Sequence, residues 1–267
     1  MRFAIKLAQS GNAAILFLHI HHVLRASMWS DQEYARYVQA NKDSLMEELS
    51  SFVKGVYRSM KMAPLNYELA VHHNFDTVDG ILEYAEKEKA TYLCISTRGA
   101  GGLRKIFGTH TGKLIIKSKI PVLSVPSAYR MSPIRHVLYA SDMTDYEAEL
   151  TKVVAFAKPL KATVDMLHLS YPYEFIVDKE LMEQTLAQKT GYKISLRYQS
   201  RDTIASLLQD LEKAINKTRP SVLVMFTNQQ RDFFERLFMS SKAQEYALGA
   251  KIPLLSFNKM QRKSVKG

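Results

Sequence analysis

A short repeat sets the plan of this chain. KIPVLSV at 119–125 and KIPLLSF at 251–257 are nearly the same seven residues, 132 positions apart. Recurrence at that distance points to two copies of one structural plan. Other blocks recur in the same order. LAQSGNAAILFLHI (7–20) lies over FAKPLKATVDMLHL (156–169) at an offset of 149, with His19 over His168 and Ala13 over Ala162. FDTVDGILEYA (75–85) lies over RDTIASLLQDL (201–211) at 126, and YLCISTR (92–98) over VLVMFTN (222–228) at 130. The offsets drift only through insertions, and PSAYRMSP (126–133) is the natural linker.

Within each copy, short apolar runs alternate with segments of helical period. RHVLYAS (135–141) reads as a buried strand, and DYEAELTKVVAFAKPL (145–160) sets Leu150, Val153, Val154 and Ala157 on one helical face. TVDMLHL (163–169), YKISLRYQ (192–199), SVLVMFT (221–227) and the closing heptapeptide read as four more strands, with helices near 174–189, 202–216 and 240–249. This alternation predicts a mainly parallel sheet covered by helices on both faces. In such a sheet a ligand belongs beyond the strand C-termini, where the strand order reverses.

The first copy lacks one piece. Residue 2 aligns with Thr151, so nothing corresponds to the strand and turn at 134–150. The expectation is a first domain without its first strand, in a chain shortened at its N-terminus relative to the ancestral domain. Such a gap in a sheet is costly unless something fills it.

Composition narrows the function classes. A hydrophobic content of 46% with 24% charged residues is that of a globular protein. The longest apolar run, AAILFLHI (13–20), has strand length and is too short to cross a bilayer. MRFAIKLAQ does not read as a signal peptide, so no membrane partner and a cytoplasmic address are expected. The single cysteine, Cys94 in TYLCIS, is expected in the core and cannot form an internal disulfide. A net charge of +11 raises nucleic-acid binding. The basic residues are scattered, however, and carry no recognition-helix, zinc-finger or RNA-binding signature, so nucleic acid is not the expected partner. The densest cluster, KMQRKSVKG (259–267), reads as a solvated basic tail.

STRGAGGLRKIFGTHTGKLIIKSKIPVLSV (96–125) resembles the C-terminal signature of the universal stress proteins, and the two-copy layout resembles their tandem class. In the second half the resemblance rests on RHVLYASD (135–142), MLHL (166–169) and KIPLLSF. It implies a Rossmann-like five-strand α/β fold in each half, cytoplasmic residence and, in one subclass, ATP binding; other members act as stress-linked binding proteins. It also implies that the fifth strands, 119–125 and 251–257, pair with each other between the two domains.

The ATP-binding subclass uses a G-x2-G-x9-G-[ST] loop ahead of its last helix, where glycines permit close approach of backbone amides to phosphate. Gly99, Gly102 and Gly112 satisfy the spacing literally, with Lys113 in place of Ser or Thr. The preferred alignment puts Ser96 and Gly99 on the first pair and Gly108-Thr109 on the last, because Gly108-Thr109 lies about three helical turns before Pro121. Ser96, Gly99, Gly108 and Thr109 are therefore the candidates for an ATP phosphate loop, with Ser96 replacing a glycine and the loop one residue short. Arg98, Arg104 and Lys105 read as a solvated basic loop.

The resemblance also calls for an acidic residue after the first strand, which is absent from the first copy. In the second copy Asp142 occupies that position, but FTNQQRDFFERLFMSSKAQ (226–244) carries no glycine. Phe233, Phe234, Leu237 and Phe238 there read as a plugged pocket or packing surface. The histidines of LHIHH (18–22) and VHHN (71–74) lack metal-ligand spacing with an accompanying Cys or carboxylate and read as sheet-end residues. Ser141, Asp142 and His136 show no nucleophile elbow. Asp76-Thr77 and Asp202-Thr203 read as helix caps, and 35–60 as an amphipathic helix covering its own sheet.

Residues and resemblance together predict a tandem protein with domain 1 at 1–126, domain 2 at 134–258 and a basic tail at 259–267. Its expected role is that of a stress-response binding or interaction protein, without catalysis and requiring no cofactor, working through a protein partner or self-association. The alternative is an ATP-binding switch or weak ATPase that uses the glycine loop of domain 1.

Overall fold

The structure, a computed structural model, describes residues 1–97, 109–130, 132–171, 178–202, 204–205, 207–227 and 252–258. It divides into two compact units, Met1–Thr91 and Tyr92–Gly267.

The first unit runs α1 (Arg2–Gly11), β1 (Ile15–His21), α2 (Asp31–Ser59), β2 (Tyr67–His73), α3 (Thr77–Lys87). β1 and β2 pair in parallel, from Ile15 opposite Tyr67 to His21 opposite His73. A capping box starts α2: Glu33 N–H donates to Ser30 Oγ at 3.3 Å, and Ser30 N–H donates to the Glu33 carboxylate at 2.8 Å. Val53 and Tyr57 near its other end pack with Phe17 of β1 and Ile5 of α1, flanked by Leu49, Val56 and Tyr67. The amphipathic segment thus covers its own sheet. Asp76 caps α3, its Oδ1 accepting Val78 N–H at 2.8 Å and Asp79 N–H at 3.0 Å.

The second unit runs β3 (Leu93–Thr97), α4 (Thr109–Lys117), β4 (Val122–Pro126), β5 (His136–Ser141), α5 (Tyr146–Ala157), β6 (Thr163–Ser170), α6 (Lys179–Thr190), β7 (Ile194–Ser200), α7 (Leu207–Thr218), β8 (Val222–Thr227) and β9 (Leu254–Asn258). Its sheet has the order β3-β4-β9-β8-β5-β6-β7. β9 through β7 form the parallel five-strand sheet predicted for the second copy. Val137, Leu138, Val164, Met166, Val222 and Val224 are buried in it, which is why these strands are continuously apolar. β4 and β9, the two heptapeptides, pair antiparallel with Leu123 opposite Leu255.

The repeat reaches the backbone geometry. Asn12 (φ 48°) and Lys161 (φ 53°) take the left-handed conformation at equivalent positions, after α1 and after a 3-10 turn at Lys158–Leu160. Ala13 N–H then donates to Ala8 O at 2.9 Å, and Ala162 N–H to Ala157 O at 3.1 Å. Likewise Leu93 N–H donates to Pro121 O at 2.9 Å, and Leu223 N–H to Pro253 O at 3.0 Å.

By this correspondence β1, β2, β3 and β4 match β6, β7, β8 and β9. In the second half β5 lies between β6 and β8. Among the described residues the first half has no such strand. β1 and β2 accordingly form a sheet of their own, while β3 and β4 extend the sheet of the other copy. The packing units therefore do not follow the repeat.

Two expectations need correction. Cys94 is exposed, not in the core. β3 is an edge strand on which Leu93 and Ile95 are half-buried and Cys94 and Ser96 exposed, whereas its counterpart β8, paired on both sides, is buried throughout. α7 begins at Leu207, later than predicted, and Asp202 caps the turn before it, accepting Ile204 N–H at 3.0 Å and Ala205 N–H at 3.4 Å. The helix predicted near 240–249 lies outside the described residues. Among the described residues no helix is long and apolar enough to cross a membrane.

Candidate functional site

In the second half the strand order reverses between β5 and β8, so the ligand position expected of such a sheet lies beyond Ser141 and Thr227. The chain leaves β5 through a tight turn. Ser141 Oγ accepts Met143 N–H at 3.0 Å, and Met143 takes φ 63°, a conformation that costs a non-glycine side chain energy. Asp142 is exposed, and its Oδ1 accepts Thr144 N–H at 3.0 Å and the Thr144 hydroxyl. The acidic residue expected to face a ligand thus holds its own turn together.

Below the turn lies a buried polar chain. Tyr139, fully buried, donates to the carboxylate of Glu149 on α5, itself only 4% exposed, and lies 3.1 Å from Ser141 Oγ. A phenol has one proton; with that committed to Glu149, Ser141 supplies the proton of the second bond. Burial, followed by the negative charge of Glu149, pushes the Tyr139 phenol far above its ordinary value, so it stays protonated and keeps donating. On the same strands Phe226 stacks on Phe257 (4.9 Å between ring centres) and meets Tyr139 edge-on at 5.6 Å, with Lys152 Nζ 5.9 Å from its ring centre. These rings pack side by side on one face of β5, β8 and β9.

Toward the opposite end of the strands, the buried Asp165 accepts from Arg197 Nε and lies 2.9 Å from His136 Nε2. Burial alone would raise its carboxyl, but the bonds from His136 and Arg197 outweigh it and hold the group below its usual range.

In the first half Ser96 is exposed on β3, opposite Val125 of β4, and Thr109 is the first residue of α4. Gly112 falls inside α4. Gly99 and Gly108, with Arg98, Arg104 and Lys105, lie outside the described residues, as do Phe233, Phe234, Leu237 and Phe238. Among the described residues no group of three or more His, Cys, Asp or Glu is placed to hold a metal.

Sequence reasoning missed Glu149 and Asp165. Each carried a signal: Glu149 lies one turn before Val153 on the apolar stripe of α5, and Asp165 sits inside the apolar run TVDMLHL.

Comparisons with known proteins agree with this architecture. A family model, that of the universal stress protein family, matches residues 1–126. No curated protein matches the sequence. A universal stress protein from Archaeoglobus fulgidus DSM 4304 superposes with a TM-score of 0.69 at 16% identity, over 97% of this chain and 92% of that one. A putative universal stress protein from Pseudomonas aeruginosa UCBPP-PA14 gives 0.53 at 12% identity, over 92% of each. Residues 1–126 thus match the universal stress protein family, and the chain as a whole has the mostly parallel α/β fold seen in solved universal stress proteins.

Proposed function

We propose that this is a cytoplasmic stress-response protein of the tandem type that acts by binding a partner without turnover and requires no nucleotide. Its domains in this reading are the repeat units 1–126 and 134–258, followed by the basic tail 259–267. The observation that carries the proposal is the engagement of Asp142. Its Oδ1 already accepts two donors from Thr144, so the group that the resemblance assigns to a nucleoside is oriented by its own turn, which supports a second half that holds no nucleotide. The stacked rings of Phe226 and Phe257 beside Tyr139 support the same conclusion for the second half. The antiparallel β4–β9 pairing supports domains joined through their fifth strands, leaving neither strand open to edge-to-edge association there.

Titration of the full chain with fluorescent ATP, alongside Gly108→Asp and Asp142→Asn variants, tests this reading. The expected result is no saturable micromolar binding by any of the three. Micromolar binding abolished by Gly108→Asp would overturn it in favour of an ATP switch in domain 1. Binding abolished by Asp142→Asn would place the nucleotide in domain 2.

A further inference from the structure

The histidines of LHIHH and VHHN are gathered by the β1–β2 register. His21 and His73 are directly opposite each other, with ring centres 5.2 Å apart in an edge-to-face arrangement. They form the last row of the sheet face whose earlier positions, Phe17 and Tyr67, pack in the apolar core. α2 therefore lies on this face in two unlike ways. Its C-terminal half buries Val53 and Tyr57. Its N-terminal half is tied down by polar contacts: Asn41 Oδ1 lies 3.1 Å from His21 Nδ1, and Tyr34 Oη donates to Val23 O at 3.1 Å and lies 3.4 Å from His73 Nε2.

The Asn41 contact sets the His21 tautomer. An amide oxygen only accepts, so Nδ1 carries the proton and Nε2 the lone pair. His21 is 5% exposed, and its Nε2 is buried with no hydrogen-bond partner among the described residues. A second proton would create a buried cationic N–H with no acceptor, beside another imidazole.

We propose that His21 is the latch of a pH-sensitive clamp: neutral, it holds Asp31–Leu45 of α2 on the sheet, and its protonation releases that half while Leu49–Ser59 stays docked. The groups acting on His21 come from each element on this face. His73 on β2, His19 on β1 and Lys42 on α2 all disfavour a positive charge, and only the Asn41 bond opposes them. α3 packs on the other face, where Glu83 lies 3.6 Å from His72 Nε2 and accepts Asn74 Nδ2–H at 3.1 Å. On α1, Arg2 donates to Ser59 and Lys6 to Gln9.

Burial, and then His73, hold His21 below its ordinary value of 6.5. The closed clamp therefore takes up a proton less readily than the open one. Its closure is fully stabilised above that ordinary value and weakens as pH falls through it toward the lower closed-state value.

Amide hydrogen exchange on the full chain, corrected for intrinsic rates, tests the clamp between about pH 7.5 and about pH 5.5. Protection of 31–45 should fall on the order of tenfold while that of 49–59 holds. The same fall should be absent in His21→Gln, which can still bond Asn41 but cannot titrate. Should that variant not fold, titration of the His21 ring resonance in the unaltered chain decides. A ring midpoint at the lower end of the pH range over which protection falls, or below it, supports the clamp, and one above the onset of that fall overturns it. Unchanged protection of 31–45, simultaneous loss over 49–59, or an equal fall in His21→Gln would also overturn it.

Discussion

Ser124 and Ser256 are the same residue of the two repeated heptapeptides, and each donates its hydroxyl to the main chain of the other copy. Ser124 Oγ reaches Leu254 O at 3.3 Å, and Ser256 Oγ reaches Val122 O at 3.1 Å, on either side of Leu123 and Leu255. The antiparallel seam is thus locally two-fold, and its central leucines are wholly buried. Leu123→Ala is expected to cost about 2–4 kcal/mol and Ser124→Ala about 0.5–1.5 kcal/mol, read from urea unfolding. A neutral Leu123→Ala would mean that the strands do not meet there.

Two helical glycines should respond oppositely to alanine. At Gly55 in α2 an added Cβ meets nothing within 4 Å, so Gly55→Ala should stabilise by about 0.5–1 kcal/mol. At Gly80 in α3 the Cβ would come within 2.7 Å of Asn74 Cβ and 3.2 Å of Ile20 Cγ2. Overlap there outweighs the gain in helix propensity, and Gly80→Ala should destabilise by about 1–3 kcal/mol. Thermal unfolding of the pair checks the opposite signs.

Asp165 should make stability depend on acid. Its folded carboxyl titrates below the ordinary 3.8, so its contribution is complete above that value and disappears as pH falls through the lower folded value. Asp165→Asn should cost about 2–4 kcal/mol at neutral pH and flatten the acid limb of the stability curve, measured by denaturant midpoints across pH. An acid limb unaltered by the substitution would show that the group is not linked to folding.

Tyr139 and Glu149 should behave as one unit. Tyr139→Phe removes the proton donor to a buried carboxylate and should cost about 1–3 kcal/mol. A double-mutant cycle with Glu149→Gln should return a coupling above about 0.5 kcal/mol. Additive effects would show the pair to be energetically independent.

Much of the fold is legible in the linear sequence. The strands at 135–141, 163–169 and 221–227 are buried on both faces, so largely apolar runs mark them almost to the residue, while the edge strand at 192–199 shows itself by alternation. Asp76 caps α3 through a side chain that reaches only two or three residues, and local chemistry of that kind is visible in a linear string. The candidate site was less legible. Asp142 could be placed after a strand, but whether its carboxylate faces outward or holds Thr144 depends on the turn at Met143, which no periodicity encodes.

Order along the chain reveals a repeat of one α/β plan, because hydrophobic period and recurring blocks are properties of the linear string. Where the strands of the first copy pair is settled by packing in three dimensions. Without a counterpart of β5 between them, β1–β2 and β3–β4 separate into different sheets, and β3 becomes an edge that leaves Cys94 exposed. Tertiary structure alone also brought His21 against His73 and Tyr139 against Glu149. Sheet register and helix packing set such distances between residues far apart in the chain, and they depend on which neighbours are present to complete each layer.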